Sequence, residues 1–452
     1  MTSPITASRV TDTSAYLDKF ERLDRVATAP AWLASLREAG MARFGEYGFP
    51  TVRDEDWRFT NVAPLARLPF RPVMKRTVDG LTTETLAQFP LGTLAATRLV
   101  FVNGHFAPRL SDVGTQSDGL VISSLADMLA RDPAPLEPHL ARYARAEQQS
   151  AFAALNAAFF QDGAFIQVPA DHAVAQPVHL VYVTTATESG AATHPRNLIL
   201  AAAGSRLTVV ESYVTTVGTA YFTNAVTEIA AGEGAVVEHC KFQDESTAAF
   251  HISALHAKLG RGCNFISHSI ATGARLGRNN LRTELAGEGL EAILNGLYLT
   301  KGDQLADHHM IVDHAQPRCA SHEYFNGILD DKSKGVFHGR ILVRPDAQKT
   351  DAKQTNKNLL LSDDATIDTK PQLEIYADDV KCTHGATVGQ LNEESIFYLR
   401  TRGIGADMAR RMLIHSFASE IIERIRHRPL REELDALIWH RLEQNPHLVA
   451  GK

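Results

Sequence analysis

Cysteine is scarce in this 452-residue chain: Cys240, Cys263, Cys319 and Cys382 are its four, widely spaced and without a Cys-x-x-Cys pair. Thiols so far apart in a chain of this size do not form a disulfide framework, and a reducing cytoplasm is the expected setting. The same spacing excludes zinc-finger and ferredoxin-type binding loops. Basic excess is lacking as well. The formal net charge is −6, which argues against nucleic acid as a partner, because a phosphate-binding surface needs a surplus of Lys and Arg. No window approaches 18 consecutive apolar residues, so no membrane span is expected. The stretch MTSPITASRVTDTSAYLD has no basic start followed by an apolar run, and it does not read as a signal peptide. GxxxxGK[ST], GxSxG and HExxH are all absent, leaving no motif for nucleotide, ester or zinc-dependent hydrolysis.

What is present is a globular composition, 44% hydrophobic and 22% charged, in a chain too long for one ordinary core. Residues 1–162 read as a mostly helical N-terminal region. In AYLDKFERLDRV the apolar residues Tyr16, Leu17, Phe20 and Leu23 follow a helical stripe. PAWLASLREAGMARFGEYG opens on Pro30 and closes on glycine, as helix ends prefer. Short strands are expected within residues 95–125 and a further helix over 135–162.

From residue 163 to 390 short β-rich runs follow one another, and turn glycines recur at a near-constant interval: Gly204, Gly232, Gly260 and Gly287. Fixed-period turns feeding apolar runs are the mark of a solenoid whose coils bury their apolar faces by stacking on each other. The expected fold is mainly β: a right-handed parallel β-helix over 163–390, flanked by N- and C-terminal α-helical regions. A β-sandwich is the competing architecture, disfavoured by the equal spacing. Residues 391–452 turn helical again, with Asn392 and Ser395 at one helix start and Gly403 after its end. Met412, Leu413, Phe417, Ile421 and Ile425 form a stripe that serves either internal packing or a partner helix.

Two constellations could carry chemistry. Asp307, His308, His309, Asp313 and His314, followed by Arg318, Cys319, His322 and Glu323, contain good ligands for iron or zinc. On a strand, however, His309 and Asp313 face one way and His308 and His314 the other, so no three obviously converge. The second is VKCTHGAT, where Cys382 and His384 stand two apart, ~6.6 Å along a strand and on one face. A thiolate and an imidazole so placed can reach one iron ion or one sulfide; equally, both can be core residues.

IYADDVKCTHGATVGQL, with IFYLRTRGI and the helix holding LIHSFASEII, resembles the SufB/SufD family of iron–sulfur cluster assembly proteins. FNGILDDKSKGVFHGRILVRPDAQKTDAKQTNKNLLLSDDA is similar to the family's central segment. PTVRDEDWRFTN, SAFAALNAAFFQDGAFIQVP and the form of CTHGAT look like the SufD branch in particular. The resemblance covers about residues 50–425. It implies a parallel β-helix between helical ends, acting as a scaffold and not as an enzyme. It implies pairing with a SufB-like paralogue through the β-helix, a homodimer when that paralogue is absent, and docking of a SufC-like ABC ATPase on the C-terminal helices, here Arg402 to Ile425. Of the Cys-x-His pair it implies His384 as a ligand to iron or a nascent cluster shared with SufB, with Cys382 the weaker candidate. Reduced flavin is linked to the assembled complex, and no local signature assigns residues to it. The rival reading is a β-helix metal-dependent hydrolase or lyase using the His308–His322 region.

Overall fold

Strands with side chains alternating inward and outward, eight to ten residues long from Arg206 onward, organise residues 164–389. A computed structural model describes residues 13–24, 30–74, 80–114, 119–144 and 150–444. Its strands alternate between two sheets of parallel pairs, and successive coils add one strand to each. The result is the expected right-handed parallel β-helix, of about eight turns, with helices at both ends of the chain. Both sheets begin in the N-terminal region, where Thr97–Val102 pairs with Val178–Thr184 and Val121–Ser124 with Ala164–Val168.

The in-register pairing stacks inner positions on inner positions. The inner positions Val209, His239, Ser267, Leu294, Glu323, Gln354 and His384 form one column down the second sheet. Most of the interior is apolar, with Leu255, Phe265, Leu281, Leu294, Met310, Val312, Phe325 and Phe337 in one continuous core.

The periodic glycines prove to be of two kinds. Gly204, Gly234, Gly262 and Gly289 have φ of 69°, 66°, 60° and 69°, and they supply the left-handed residue of each turn. Gly232 and Gly287 instead allow close stacking. A Cβ on Gly287 would lie 2.1 Å from the Arg261 nitrogen one coil back, and one on Gly232 2.8 Å from that of Ala203. Farther along, Arg318 and Lys349 take over the left-handed position without glycine.

Helices cover both outer faces. Phe44 of Ala31–Tyr47 and Phe152 and Phe159 of Ala151–Phe159 pack on Phe222, Phe250, Ile252 and Leu276 of the first sheet. On the second sheet Val210, Cys240, Phe242, Ile270, Leu297 and Ile328 receive Ala406–Ile422 and Arg428–Gln444.

Three local expectations change. The buried face of Ala406–Ile422 is Ile414, Ala418, Ile421 and Ile422, continued by Ile425; Met412 turns to solvent and Leu413 and Phe417 flank the stripe. In Ser14–Asp24, Tyr16 and Phe20 are buried while Leu17 is exposed; the side chain of Leu23 and residues 1–12 fall outside the described ones. Of the helix expected over 135–162, the described residues are helical at Ala151–Phe159, and residues 145–149 fall outside the described ones. Residues 134–143 form turns instead, because the Ala141, Tyr143 and Ala144 amides donate to the buried carboxylate of Glu228 rather than to helical carbonyls.

Candidate functional site at the open coil

The last coil is formed by Thr366–Ile375 in the first sheet and Lys381–Gly389 in the second. Each pairs on one side only, with Lys334–Val343 and Asp351–Leu360 respectively, and among the described residues its other edge meets no strand. Such an edge presents free N–H and C=O groups to any strand that can approach.

Cys382, His384, Ala386 and Val388 lie in register with Ala352, Gln354, Asn356 and Asn358, all buried inside the coil beneath. They therefore face the solenoid axis. No further coil covers them, however, so an inward-facing histidine ends up exposed and Cys382 half-buried. Cys382 leans on a small apolar cluster of Ile341, Val343, Ala347, Ala352 and Ala377. Burial, with Asp351 and Glu323 adding repulsion, pushes its thiol above the ordinary range. A thiol so placed gives up its proton reluctantly, and His384 is the more exposed of the two. The other cysteines are all buried and free. Burial raises Cys263 to about 12 and Cys240 further still.

Behind His384 the column continues with Gln354 and Glu323. Gln354 is buried, and neither end of its amide has a hydrogen-bond partner. Its side chain occupies space left by Gly339, where a Cβ would come within 2.3 Å of Gln354 Nε2. Glu323 is fully buried, and neither carboxylate oxygen makes a hydrogen bond of good geometry. Burial pushes its pKa up to about 8, with Ser321 offsetting only part of the effect. The folded chain thus keeps a proton on Glu323 that the unfolded chain releases near pH ~4.3. Stability from this group is greatest below pH ~4.3 and is lost as pH rises through 8. Glu323→Gln removes that loss: it is expected to gain ~2–4 kcal/mol over the parent at pH 8.5 and almost nothing near pH 4.5, as urea unfolding at the two pH values would measure. A buried, polar, unsatisfied column under His384 is not visible from spacing, since its members are some thirty residues apart.

The histidine cluster disperses. His308 and His314 face inward, bonded to Ser269 (3.2 Å) and Ser321 (2.9 Å). Burial lowers them to about 3 and about 4. Asp313 pairs outside with Arg344 at 2.8 and 2.9 Å, Cys319 donates to the Gly287 carbonyl, and Arg318 pairs with Glu288 on the surface. His322 is on the outer face of the other sheet. These residues by themselves assemble no hydrolytic centre.

Exposed apolar side chains mark the same end of the molecule. Ile375, Tyr376 and Val388 belong to or adjoin the open coil, and Phe397, Tyr398, Met408 and Met412 lie on the helices that follow; Phe397 is 67% and Tyr376 63% exposed. Asn392 caps the first of these helices by accepting from the Ser395 amide at 3.0 Å, and Gly403 ends it with φ 87°.

Comparison with known families now decides the lineage. A model described as the SufBD core domain of SUF-system FeS cluster assembly matches residues 182–417, and one for the SufBD protein N-terminal region matches 11–180. The chain belongs to the SufBD family. The iron-sulfur cluster assembly protein SufD of Escherichia coli is 34% identical over 397 residues, 87% of this chain and 90% of that one. An iron-sulfur cluster assembly SufBD family protein of Synechocystis is 33% identical over 406 residues, 88% of each. SufD of Bacillus subtilis is 24% identical over 92% of this chain and 95% of its own. The SufBD core match ends inside Ala406–Ile422, so it takes in the open coil and the apolar helix beside it. Among the described residues no helix is long and apolar enough to cross a membrane.

Proposed function

We propose that this SufBD protein is a SufD-like scaffold of cytoplasmic iron–sulfur cluster assembly, without catalytic residues of its own. It pairs through its open coil with a SufB-like paralogue. It docks a SufC-like ABC ATPase on the helices between Arg402 and Ile425. His384 is its contribution to an iron or nascent-cluster site whose remaining ligands belong to the paralogue, with Cys382 subordinate. Iron and sulfide are cargo in this scheme, held transiently. Reduced flavin is a property of the assembled complex.

The observation that carries this reading is the pair of unpartnered parallel edges at one end of the solenoid, with His384 inward-facing yet exposed between them. Natural sheets normally blunt long edges, and β-augmentation is the usual use of one left open. The exposed Phe397, Tyr398, Met408 and Met412 fit a partner-covered helical face. When the paralogue is missing, two copies of this chain can close each other's edges.

The test is co-purification. Co-expressed with a SufB-like paralogue and an ABC ATPase, the tagged chain should retain both at stoichiometric levels and the complex should accumulate iron and sulfide. Recovery of neither partner defeats the scaffold reading.

A further inference from the structure

On the outer face of the first sheet, far in sequence from the Cys-x-His pair, three ligand-bearing residues meet. His309 of Leu305–His314 and His338 of Lys334–Val343 are direct register partners on adjacent strands. Their rings are 4.7 Å apart at 81°. Asp56, from the short 3₁₀ turn Glu55–Trp57, reaches over them. One donor atom from each of the three lies within 4.8 Å of the others. We propose that Asp56, His309 and His338 form a binding site for a divalent first-row transition-metal ion.

The geometry is close to ready. A point shared by three atoms so spaced is about 2.8 Å or less from each, a small side-chain adjustment away from the ~2.0–2.2 Å of imidazole and carboxylate ligation. The donors are held from behind. His309 Nε2 is 3.3 Å from Asp307 Oδ1, and His338 Nε2 is 3.3 Å from Gln372 Oε1. Each ring thus has an acceptor oxygen beside one nitrogen and the other nitrogen available, the arrangement that fixes a metal-binding histidine. Asp307 is fully buried, and its Oδ1 makes no hydrogen bond of good geometry. Ligation at Nδ1 would fix the proton of His309 on Nε2, toward that oxygen.

Asp56 is positioned on both sides. Arg278 donates to the Asp56 carbonyl at 2.7 Å and stacks 3.6 Å over Trp57, while Lys370 holds Glu55 at 2.8 Å and Thr60 donates to Asp307. Three nearby cations are themselves ion-paired: Arg278 with Asp307 at 2.8 Å, Lys370 with Glu55 at 2.8 Å and Arg340 with Glu374 at 3.6 Å. Among the described residues the Asp56 carboxylate has neither a hydrogen bond nor an ion-pair partner. A cleft of about 100 Å³ opens over the three residues, leaving room for further ligands. Two imidazoles and one carboxylate with open positions suit Fe(II) or Zn(II) and are poor ligands for Mg²⁺ or Ca²⁺. The site is distinct from His384, which faces inward on the other sheet, and the proposal does not depend on the scaffold reading.

The experiment uses the full-length, metal-free chain under anaerobic conditions, titrated with Co(II) as a spectroscopic probe and then competed with Fe(II) or Zn(II). The His384→Ala variant removes the other candidate donor, so it should still bind one equivalent with visible d–d absorption. Asp56→Asn, at an exposed position that should not disturb folding, is expected to weaken binding at least about tenfold, and the His309→Gln/His338→Gln pair to abolish it. Which of Fe(II) and Zn(II) displaces the probe identifies the preferred ion. Failure of the His384→Ala variant to bind, or equal binding by that variant and by His384→Ala/Asp56→Asn, overturns the site.

Discussion

His384→Ala is expected to reduce iron–sulfur cluster formation in the reconstituted complex by at least about tenfold, the scale of losing a metal-site contact. The chain's own stability should change by no more than ~0.5 kcal/mol, because the ring is exposed and supports no packing. Partner binding should survive as well, since a strand docked on the open edge is held by main-chain hydrogen bonds that the substitution leaves intact. The decisive comparison is cluster yield per complex recovered. Unchanged yield at unchanged recovery would remove His384 from the site, whereas loss of the complex itself would make it an interface residue. Cys382→Ala should be milder for assembly, since that thiol is half-buried against Ile341 and Val343 and carries a raised pKa.

The largest loss of stability is expected from Glu228→Ala. Arg196 and Glu228 are both fully buried and joined at 2.7 and 3.1 Å, and Arg196 also donates to Asn156 at 2.9 Å. The carboxylate accepts three further hydrogen bonds from the Ala141, Tyr143 and Ala144 amides at 2.8–2.9 Å. Burial opposes its ionisation, but Arg196 and those amides outweigh it and hold the pKa below the usual carboxylate range. Removing the carboxylate leaves a buried guanidinium and three amides unmatched, at a cost of ~3–5 kcal/mol. Equilibrium unfolding should show this loss, and hydrogen exchange at residues 141–144 should accelerate. Because the folded pKa is depressed, the parent's contribution is present above pH ~4.3 and lost as pH falls through the folded value; the variant should lack that acid-sensitive component. Replacing both partners with apolar residues of similar volume should recover much of the loss. A cost below ~1 kcal/mol for Glu228→Ala would mean that the 134–144 turns hold without it.

The same pair shows where local reading of the sequence failed. HLARYA, residues 139–144, has the composition of a helix, yet a carboxylate more than eighty residues away captures its amides and makes turns of it. Helical propensity is worth tenths of a kcal/mol per residue, and a buried charge seeking N–H donors exceeds it. The stripe on Ala406–Ile422 shifts for a related reason: the apolar side chains of the second sheet, Leu297 and Ile328 among them, set which face of the helix is covered. The periodic glycines were legible as a period but not as two kinds, because only stacked coils show which glycine has a backbone directly behind it.

By itself the sequence determined the solenoid, its helical flanks and the Cys-x-His stretch near its end, since these rest on periodicity and on contiguous motifs that survive in one dimension. The tertiary structure alone decided that His384 is exposed while Cys382 packs, that Gln354 and Glu323 stand behind it, and that Asp56, His309 and His338 converge. In a parallel solenoid each coil returns the chain to the same face after about thirty residues, so the neighbours that create a site are distant in sequence. Their exposure depends on whether another coil, or another protein, comes next.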